Sequence, residues 1–557
     1  MNNLLIICFL SLSAGAVAAE SIITTGSSAS LLEIGRRIYQ EGLLEGGAVL
    51  QGVSAAQVTL KGRQAACIGC HRKSGLGGSE GARNIRPIAG KYIFPAEKSP
   101  VRSELHKRAL YAPASTRAEY TQETFAKVLR DGVDYGGHTL NRLMPRYVFN
   151  DKEVAALAAY LNKLSSHSDP GVEDEAIHFA TVVMPGAKPQ ELKAMLDVLN
   201  AFFADKNGGS RSESRRRTVG TEAEYRSYRR WVLHVWTLTG PDEGWNAQLE
   251  QYYKKQPVFT LLSGIGGDNW RPLHDFCEQQ EIPCMFPNSN LPVTDNAYYS
   301  FYFSRGMTLE AEVLAKYFSA NADKYDNILQ VFNEKDRLGA AAAQVFRKNM
   351  NIVDATANII DWSFTDKIDT ETLQRILRDK KPQKLVIWLN GVDLAKIVNW
   401  DITEYSPQQV FLSASMLGSN IVANPELLGK SMQRYVDKIH LIYPYVLPHQ
   451  TSQHILRTKL WLRAKKIELA DEQIQANTYF AVMVVGDSIS HMLDEFSRDY
   501  FIERLEDMVG RSLVTSVYPR ISLGPGQRFA SKGAYLVKYS RQKNNAVEPV
   551  TDWIVPN

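Results

Sequence analysis

The chain has 557 residues, 44% of them hydrophobic and 22% charged, and a formal net charge of +4 at pH 7. That length supports more than one hydrophobic core. So small a charge excess leaves no electrostatic footprint for nucleic acid or for a strongly charged membrane surface.

Residues 1–19 have a short polar start, an apolar run over 4–12 and small residues from Ala14 to Ala19 before Glu20, which is the pattern of a secretory signal peptide. The run is too short to span a bilayer, and cleavage at its end removes Cys8. No later stretch is long and apolar enough for a transmembrane helix, so the mature chain is expected to be soluble and periplasmic. A helix follows over residues 31–41, with Ile34, Gly35, Ile38 and Tyr39 on one face.

Cys67-Ile68-Gly69-Cys70-His71 is a CxxCH, in which two thiols one helical turn apart can be alkylated by the vinyl groups of one haem while the adjacent imidazole reaches the iron. Two thiols at this spacing also suit a redox dithiol or half a zinc site. No second cysteine pair stands near enough to complete a zinc site, and no βαβ pattern surrounds the motif. The expected cofactor is therefore a single, covalently attached haem c.

A second axial ligand is offered by Met144, in Leu143-Met144-Pro145-Arg146-Tyr147, where the proline defines the loop. A thioether favours the ferrous state, so a His/Met pair raises the potential and suits electron transfer. His138, after Gly136-Gly137, is the rival ligand, and His106 lies in a polar stretch. A second helix carries Val154, Leu157, Ala158 and Leu161 at helical spacing behind an Asn150/Glu153 capping box. Gly35 on the first helix lets Tyr160 of the second approach closely.

These pieces (residues 35–39, the CxxCH, Arg86-Pro87-Ile88-Ala89-Gly90, Met144 to Tyr147 and the helix ending Ala159-Tyr160-Leu161) resemble a class I c-type cytochrome over residues 30–165. The resemblance implies an all-α domain, with Pro87 or Ile88 backing His71. A long insertion over 96–117 departs from it.

Residues 166–174, with Asp169-Pro170-Gly171, read as a linker. The basic run Arg211 to Arg230 is interrupted by Glu213, Glu222 and Glu224 and reads as a solvated loop. From residue 175 apolar strands alternate with amphipathic helices. Strands are expected over 177–184, 230–239, 257–262, 282–287 and 299–303, with helices beginning at Leu192, Trp245 and Trp270 between them. A second set starts at Thr308, with strands over 328–332, 352–360, 384–389, 409–414 and 439–443, and long helices over 453–465 and 471–492 lead to a β segment over 518–539. Such alternation implies parallel sheets covered on both faces. Cys277 and Cys284, the only thiols left once signal and haem are accounted for, are expected to form a disulfide.

Leu262-Ser263-Gly264, Ile282-Pro283 through Pro287-Asn288-Ser289, Phe303-Ser304-Arg305-Gly306 and Asn477 to Val482 make this part similar to the type 1 periplasmic binding proteins of the branched-chain amino-acid class. The fold class is thus an all-α cytochrome domain followed by a two-lobed α/β domain over 175–557. Lobe 1 is expected over about 175–306 and 449–557, lobe 2 over about 307–448. By that resemblance a ligand sits between the lobes, near Ser263, Gly266, Gly267, Asn288, Ser289, Asn290, Asn390 and the loop 413–419 that begins with Ser413. Each of these is equally a residue type that turns use. The family's amino-acid binders place an acid on the second lobe for the ligand's ammonium group; the loop 413–420 has none, which argues against an amino-acid ligand.

The function expected is a periplasmic monohaem electron carrier with a module that holds a small molecule or docks a redox partner protein. A redox-sensing solute receptor of an ABC-type transport system is the alternative. No GxSxG, HExxH or phosphate-loop motif points to an enzyme.

Overall fold

The computed structural model describes residues 25–54, 57–80, 83–94, 120–216, 229–295, 297–321, 327–353, 358–365, 370–397, 407–418, 422, 428, 436–492, 495–512, 516–540 and 546–556. The signal-peptide reading, the 96–117 insertion, His106 and most of the basic run lie outside them. Two compact units divide the chain between Ser166 and His167.

In the first unit, helix α1 (Thr25–Glu41) packs across a later helix, α5 (Asp151–Lys163). Gly35 marks the crossing: a Cβ there would fall 2.1 Å from the Ala156 carbonyl oxygen and 2.7 Å from the Tyr160 Cβ, so no larger residue fits. The Asn150 side chain accepts from the Glu153 N–H while Glu153 accepts from the Asn150 N–H, completing the capping box at the start of α5.

Between these helices the chain is not all-α. Strands β1 (Gln51–Val53) and β2 (Thr59–Lys61) form an antiparallel pair, followed by the short helix α2 (Ile68–His71) on the CxxCH. A ribbon of β3 (Gly78–Glu80) and β4 (Arg83–Ile85), the turn α3 (Gly90–Ile93) and helix α4 (Gln122–Asp131) come next. Strand β5 (Arg146–Tyr147) then returns beside β1, pairing Gly52 with Tyr147. Segments of two or three residues are too short for alternation to announce them. Their consequence is local: β5 begins two residues after Met144 and fixes where that loop ends.

The second unit opens with strand β6 (Ala176–Val183), buried along its whole length. Helix α6 (Pro189–Arg216), β7 (Arg230–Thr237), α7 (Trp245–Lys255), β8 (Thr260–Leu262), α8 (Arg271–Gln279), β9 (Cys284–Met285) and β10 (Ser300–Phe301) follow. Their strands form a parallel sheet in the order β10-β9-β8-β6-β7. Cys277 at the end of α8 is joined to Cys284 of β9, Cα to Cα 6.3 Å, both in the core. Replacing both by serine is expected to lower stability by about 2–3 kcal/mol, the loop-closure entropy of so short a loop. Urea unfolding midpoints check this.

The second lobe starts at α9 (Gly306–Asn321), continues through β11 (Asn327–Asn333), α10 (Arg337–Val353), β12 (Asn358–Phe364), α11 (Thr370–Lys380), β13 (Lys384–Trp388) and α12 (Gly391–Ile397), and reaches β14 (Gln409–Ser413), α13 (Ala414–Leu417) and β15 (Ile439–Tyr443). The chain returns to the first lobe through α14 (Pro448–His454), α15 (Leu456–Ala464), the buried α16 (Glu472–Ser490) and α17 (Arg498–Val509). It then crosses again, and β16 (Tyr535–Ser540) and β17 (Ala546–Pro549) close the sheet of the second lobe, ordered β12-β11-β13-β14-β15-β16-β17.

Two expectations are corrected here. The C-terminal strands belong to lobe 2, because β16 pairs antiparallel with β15 (Tyr443 opposite Tyr535) and buries Leu536, Val537 and Tyr539. Nor is 166–174 a free linker. The Asp169 N–H donates to the Phe496 carbonyl at 2.9 Å, the Gly171 carbonyl accepts from the His178 N–H at 2.8 Å, and a Cβ on Gly171 would meet the Phe259 nitrogen at 2.1 Å.

Candidate functional site

Cys67 precedes α2 as its N-terminal cap and Cys70 and His71 lie on the helix, with Cys67 half-buried and Cys70 exposed. The Nδ1–H of His71 donates to the Arg86 carbonyl at 3.1 Å, which leaves Nε2 free and aims the ring. Burial lowers the pKa of this imidazole, keeping it in the neutral form that ligates metals. The accepting carbonyl is that of Arg86, not of Pro87 or Ile88. The Ile88 N–H is instead held by the Gly75 carbonyl at 2.7 Å. Tyr39 of α1 donates to the Arg72 carbonyl at 2.7 Å and so ties the end of α2 to the helix pair.

Burial pushes the Cys67 thiol up to about 12, the opposite of the depressed value a redox dithiol requires. Cys67, Ile68, Ile88, Ile93, Phe94 and Met144 border one apolar core with Leu50, Phe125, Leu129, Tyr147, Phe149, Val154 and Leu157. Two thiols, an oriented imidazole and a thioether around an apolar wall fit a haem.

Met144 is presented by a braced loop. Arg146 donates to the carbonyls of Met144 (2.5 Å), Asp131 (3.2 Å) and Leu140 (3.4 Å), and its guanidinium runs over Gly132, where a Cβ would fall 1.7 Å from Nε. Gly132 holds the left-handed φ of 67° that ends α4. His138 stands 80% exposed, with Nδ1 3.2 Å from Asp134 Oδ1. Arg86 and Arg146 were both inside recognised sequence segments, but a bond through a backbone carbonyl leaves no residue-type signal.

In the second unit, Ser263 follows β8 with a φ of 55°, and its Oγ accepts from Asn288 Nδ2 at 3.0 Å and lies 3.4 Å from Thr478 Oγ1 of α16. Asn477 Nδ2 in turn donates to Asn288 Oδ1 at 3.3 Å. Gly266 is a tight turn under the Met184 carbonyl, and Asn290 accepts the Met307 N–H at 2.9 Å where the chain enters lobe 2. Asn390 caps α12, its Oδ1 accepting from Val392 and Asp393 N–H while its amide donates to Asp336. Ser413 caps α13 by accepting the Met416 N–H at 3.1 Å. Ser263 and Asn288 are thus gathered on one polar patch, Ser413 lies on the facing lobe, and Gly266, Asn290 and Asn390 serve the backbone. The lobes meet at Asp242, whose Oδ2 accepts from Asn269 of lobe 1 at 2.5 Å and from Arg337 of lobe 2 at 3.0 Å.

Residues 61–165 match the family model of cytochrome c. No curated protein sequence matches the chain. Among solved structures, an ABC transporter substrate-binding protein from Aeropyrum pernix is similar at 12% identity and a TM-score of 0.50, covering 69% of this chain and 97% of that one. A leucine-binding protein from Thermotoga maritima (12% identity, TM-score 0.48, 68% and 99% covered) and a fatty acid ABC transporter substrate-binding protein from Thermomonospora curvata (12%, 0.48, 70% and 95%) are also similar. The Aeropyrum likeness establishes the fold of the second unit. Among the described residues no helix is long and apolar enough to cross a membrane.

Proposed function

We propose that this chain, a cytochrome c domain followed by a binding-protein fold, is a periplasmic electron carrier whose second unit holds a small molecule or docks the redox partner. The observation that carries the reading is the His71 Nδ1–H donating to the Arg86 carbonyl, which frees Nε2 beside the two thiols. Cys67 and Cys70 would hold the haem through thioethers, and His71 and Met144 would be its axial ligands. The bound haem supplies a one-electron iron couple. The chain's own part is to orient His71 through Arg86, to hold the Met144 loop through Arg146 and to keep water from the apolar wall around Ile68, Ile88 and Phe94. A covalently held group changes oxidation state without being lost, which suits a carrier rather than a catalyst.

Absorption spectra and a potentiometric titration test this. Met144→Ala is expected to lose the low-spin six-coordinate spectrum and to lower the potential by roughly 0.1 V or more. An unchanged spectrum and potential in Met144→Ala, with both altered in His138→Ala, would refute the ligand assignment. If the chain were instead a redox-gated receptor, linkage would require ligand to shift the potential by about 59 mV for each tenfold difference in affinity between oxidised and reduced protein.

A further inference from the structure

Strands β1, β2 and β5 give the first unit a small sheet with one face on the core and one in solvent. Gly52, Leu60 and Tyr147 stand in register and face inward: Tyr147 is buried, and a Cβ on Gly52 would meet its ring at 2.8 Å. Side chains alternate along a strand, so the other face is shared by Val49, Gln51 and Val53 along β1 and its approach, Thr59 and Lys61 of β2, and Arg146 and Val148 along β5. A solvent face is ordinarily polar. Here Val148 is 90% exposed, Val49 50% and Val53 38%. Val58, in the turn between β1 and β2, and Leu143, beside Met144, are exposed as well, and among the described residues these five are all the large apolar side chains that the first unit leaves in water. Scattered singly they would need no explanation, but gathered on one sheet and its borders they mark a contact surface.

The face is cationic and adjoins the candidate haem site. Its charged side chains are Lys61 and Arg146, and no acid shares it. Arg146 gives its hydrogen bonds to three carbonyls, that of Met144 among them, which leave its charge in place. Glu45, in the turn before Val49, is held by Lys152 at 2.6 Å. From Lys61 to Lys91 the chain carries seven Lys or Arg and one acid, Glu80. On the inner side the Tyr147 hydroxyl donates to the Ala65 carbonyl at 2.9 Å, two residues before Cys67. One layer of sheet therefore separates this face from the segment that leads into Cys67, and β5 runs directly out of the Met144 loop.

We propose that this face, centred on Val148, is the docking surface for an acidic electron-transfer protein. This rests on the electron-carrier reading and puts the redox partner on the first unit, which leaves the second to a small molecule. An apolar centre beside fixed cations suits a brief encounter, because charge steers the partner in and a few valines release it quickly. A second copy of the chain fits worse, since a two-fold contact sets Lys61 and Arg146 against themselves. An anionic membrane also fits worse, since two cations on the face fall short of the cluster of roughly four to eight by which such a surface is held.

The test uses the full-length haem protein with plastocyanin, an acidic blue-copper protein, as the probe. Zinc-substituted plastocyanin takes no electron, and shifts in its amide NMR spectrum give a Kd. With the cupric form, stopped-flow absorbance gives the rate at which one electron leaves the ferrous haem and reduces copper. Val148→Asp and Lys61→Glu are each expected to weaken binding and slow that transfer roughly tenfold or more at low salt, and about 0.3 M salt should weaken the parent to a similar extent. Oxidation by benzoquinone, which is small and uncharged, should be equal in all three proteins and shows that the variants keep an intact haem site. Binding and transfer unchanged in both variants overturn the surface and leave the carrier reading standing. No binding of plastocyanin by the parent overturns the acidic partner. Loss in Val148→Asp of a dimer seen by sedimentation, or of binding to phosphatidylglycerol vesicles, overturns it in favour of a second copy or of a membrane. A ferrous haem that neither plastocyanin nor benzoquinone oxidises overturns the carrier reading itself.

Discussion

Replacing Arg498 with alanine is expected to destabilise the second unit by on the order of 4 kcal/mol, enough to unfold a substantial share of it at growth temperature. Arg498 is 5% exposed at the start of α17, and its guanidinium joins segments distant in sequence. It donates to the carbonyls of Val258 (2.7 Å), Phe259 (3.1 Å), Gln280 (3.1 Å), Glu281 (3.2 Å) and Pro170 (3.1 Å) and to the Tyr253 hydroxyl (3.1 Å). Its backbone N–H donates to Asp169 at 2.6 Å. Alanine leaves these carbonyls buried with no donor to replace the five N–H groups, and each orphaned acceptor costs about 1–3 kcal/mol before relaxation. Lysine keeps the charge but not the fork, and is expected to recover less than half of the loss. Urea unfolding followed by far-UV circular dichroism reads the second unit, and the haem absorbance reads the first. A loss below 1 kcal/mol would mean that water enters to take over these bonds.

How legible all this was in the sequence depended on how local each feature is. The CxxCH and the Asn150/Glu153 cap are set by residues within one turn, and most strands of the second unit by runs of apolar residues, so these were readable; the strand expected over 352–360 instead begins at Asn358, because the preceding helix runs on through Val353. Arg498 sits in Ser497-Arg498-Asp499-Tyr500-Phe501, which carries a helix cap but shows nothing of the carbonyls at 170, 258 and 280 that meet it. The C-terminal strands were recognised as β but assigned to the wrong lobe. Sheet membership is decided by the β15–β16 pairing, and no periodicity in the chain encodes that partner. The β1–β5 pairing that fixes the end of the Met144 loop was missed because strands of two and three residues are too short for alternation to reveal. Glu310 is the sharpest case. Between Leu309 and Ala311 it looks like one polar residue on an otherwise apolar helix, and only the fold shows it facing Ser413 and Ser415.

Burial of Glu310 has a consequence for stability that Glu310→Gln should expose. Burial raises the carboxyl from 4.5 to about 7 in the folded protein. Below pH 4.5 it is protonated in both folded and unfolded chains and affects neither. Between 4.5 and 7 the unfolded chain releases the proton while the folded one keeps it, so the folded state loses stability as pH rises. Above 7 the loss levels off at about 3 kcal/mol. Glutamine has the same shape and no charge to ionise, so the Glu310→Gln protein should match the parent near pH 4.5 and exceed it by about 3 kcal/mol at pH 8. Tyr445 and Tyr518 do not titrate in this window and cannot offset the difference. Urea midpoints of both proteins at the two pH values measure it, and a difference independent of pH would show that Glu310 is not the group titrating.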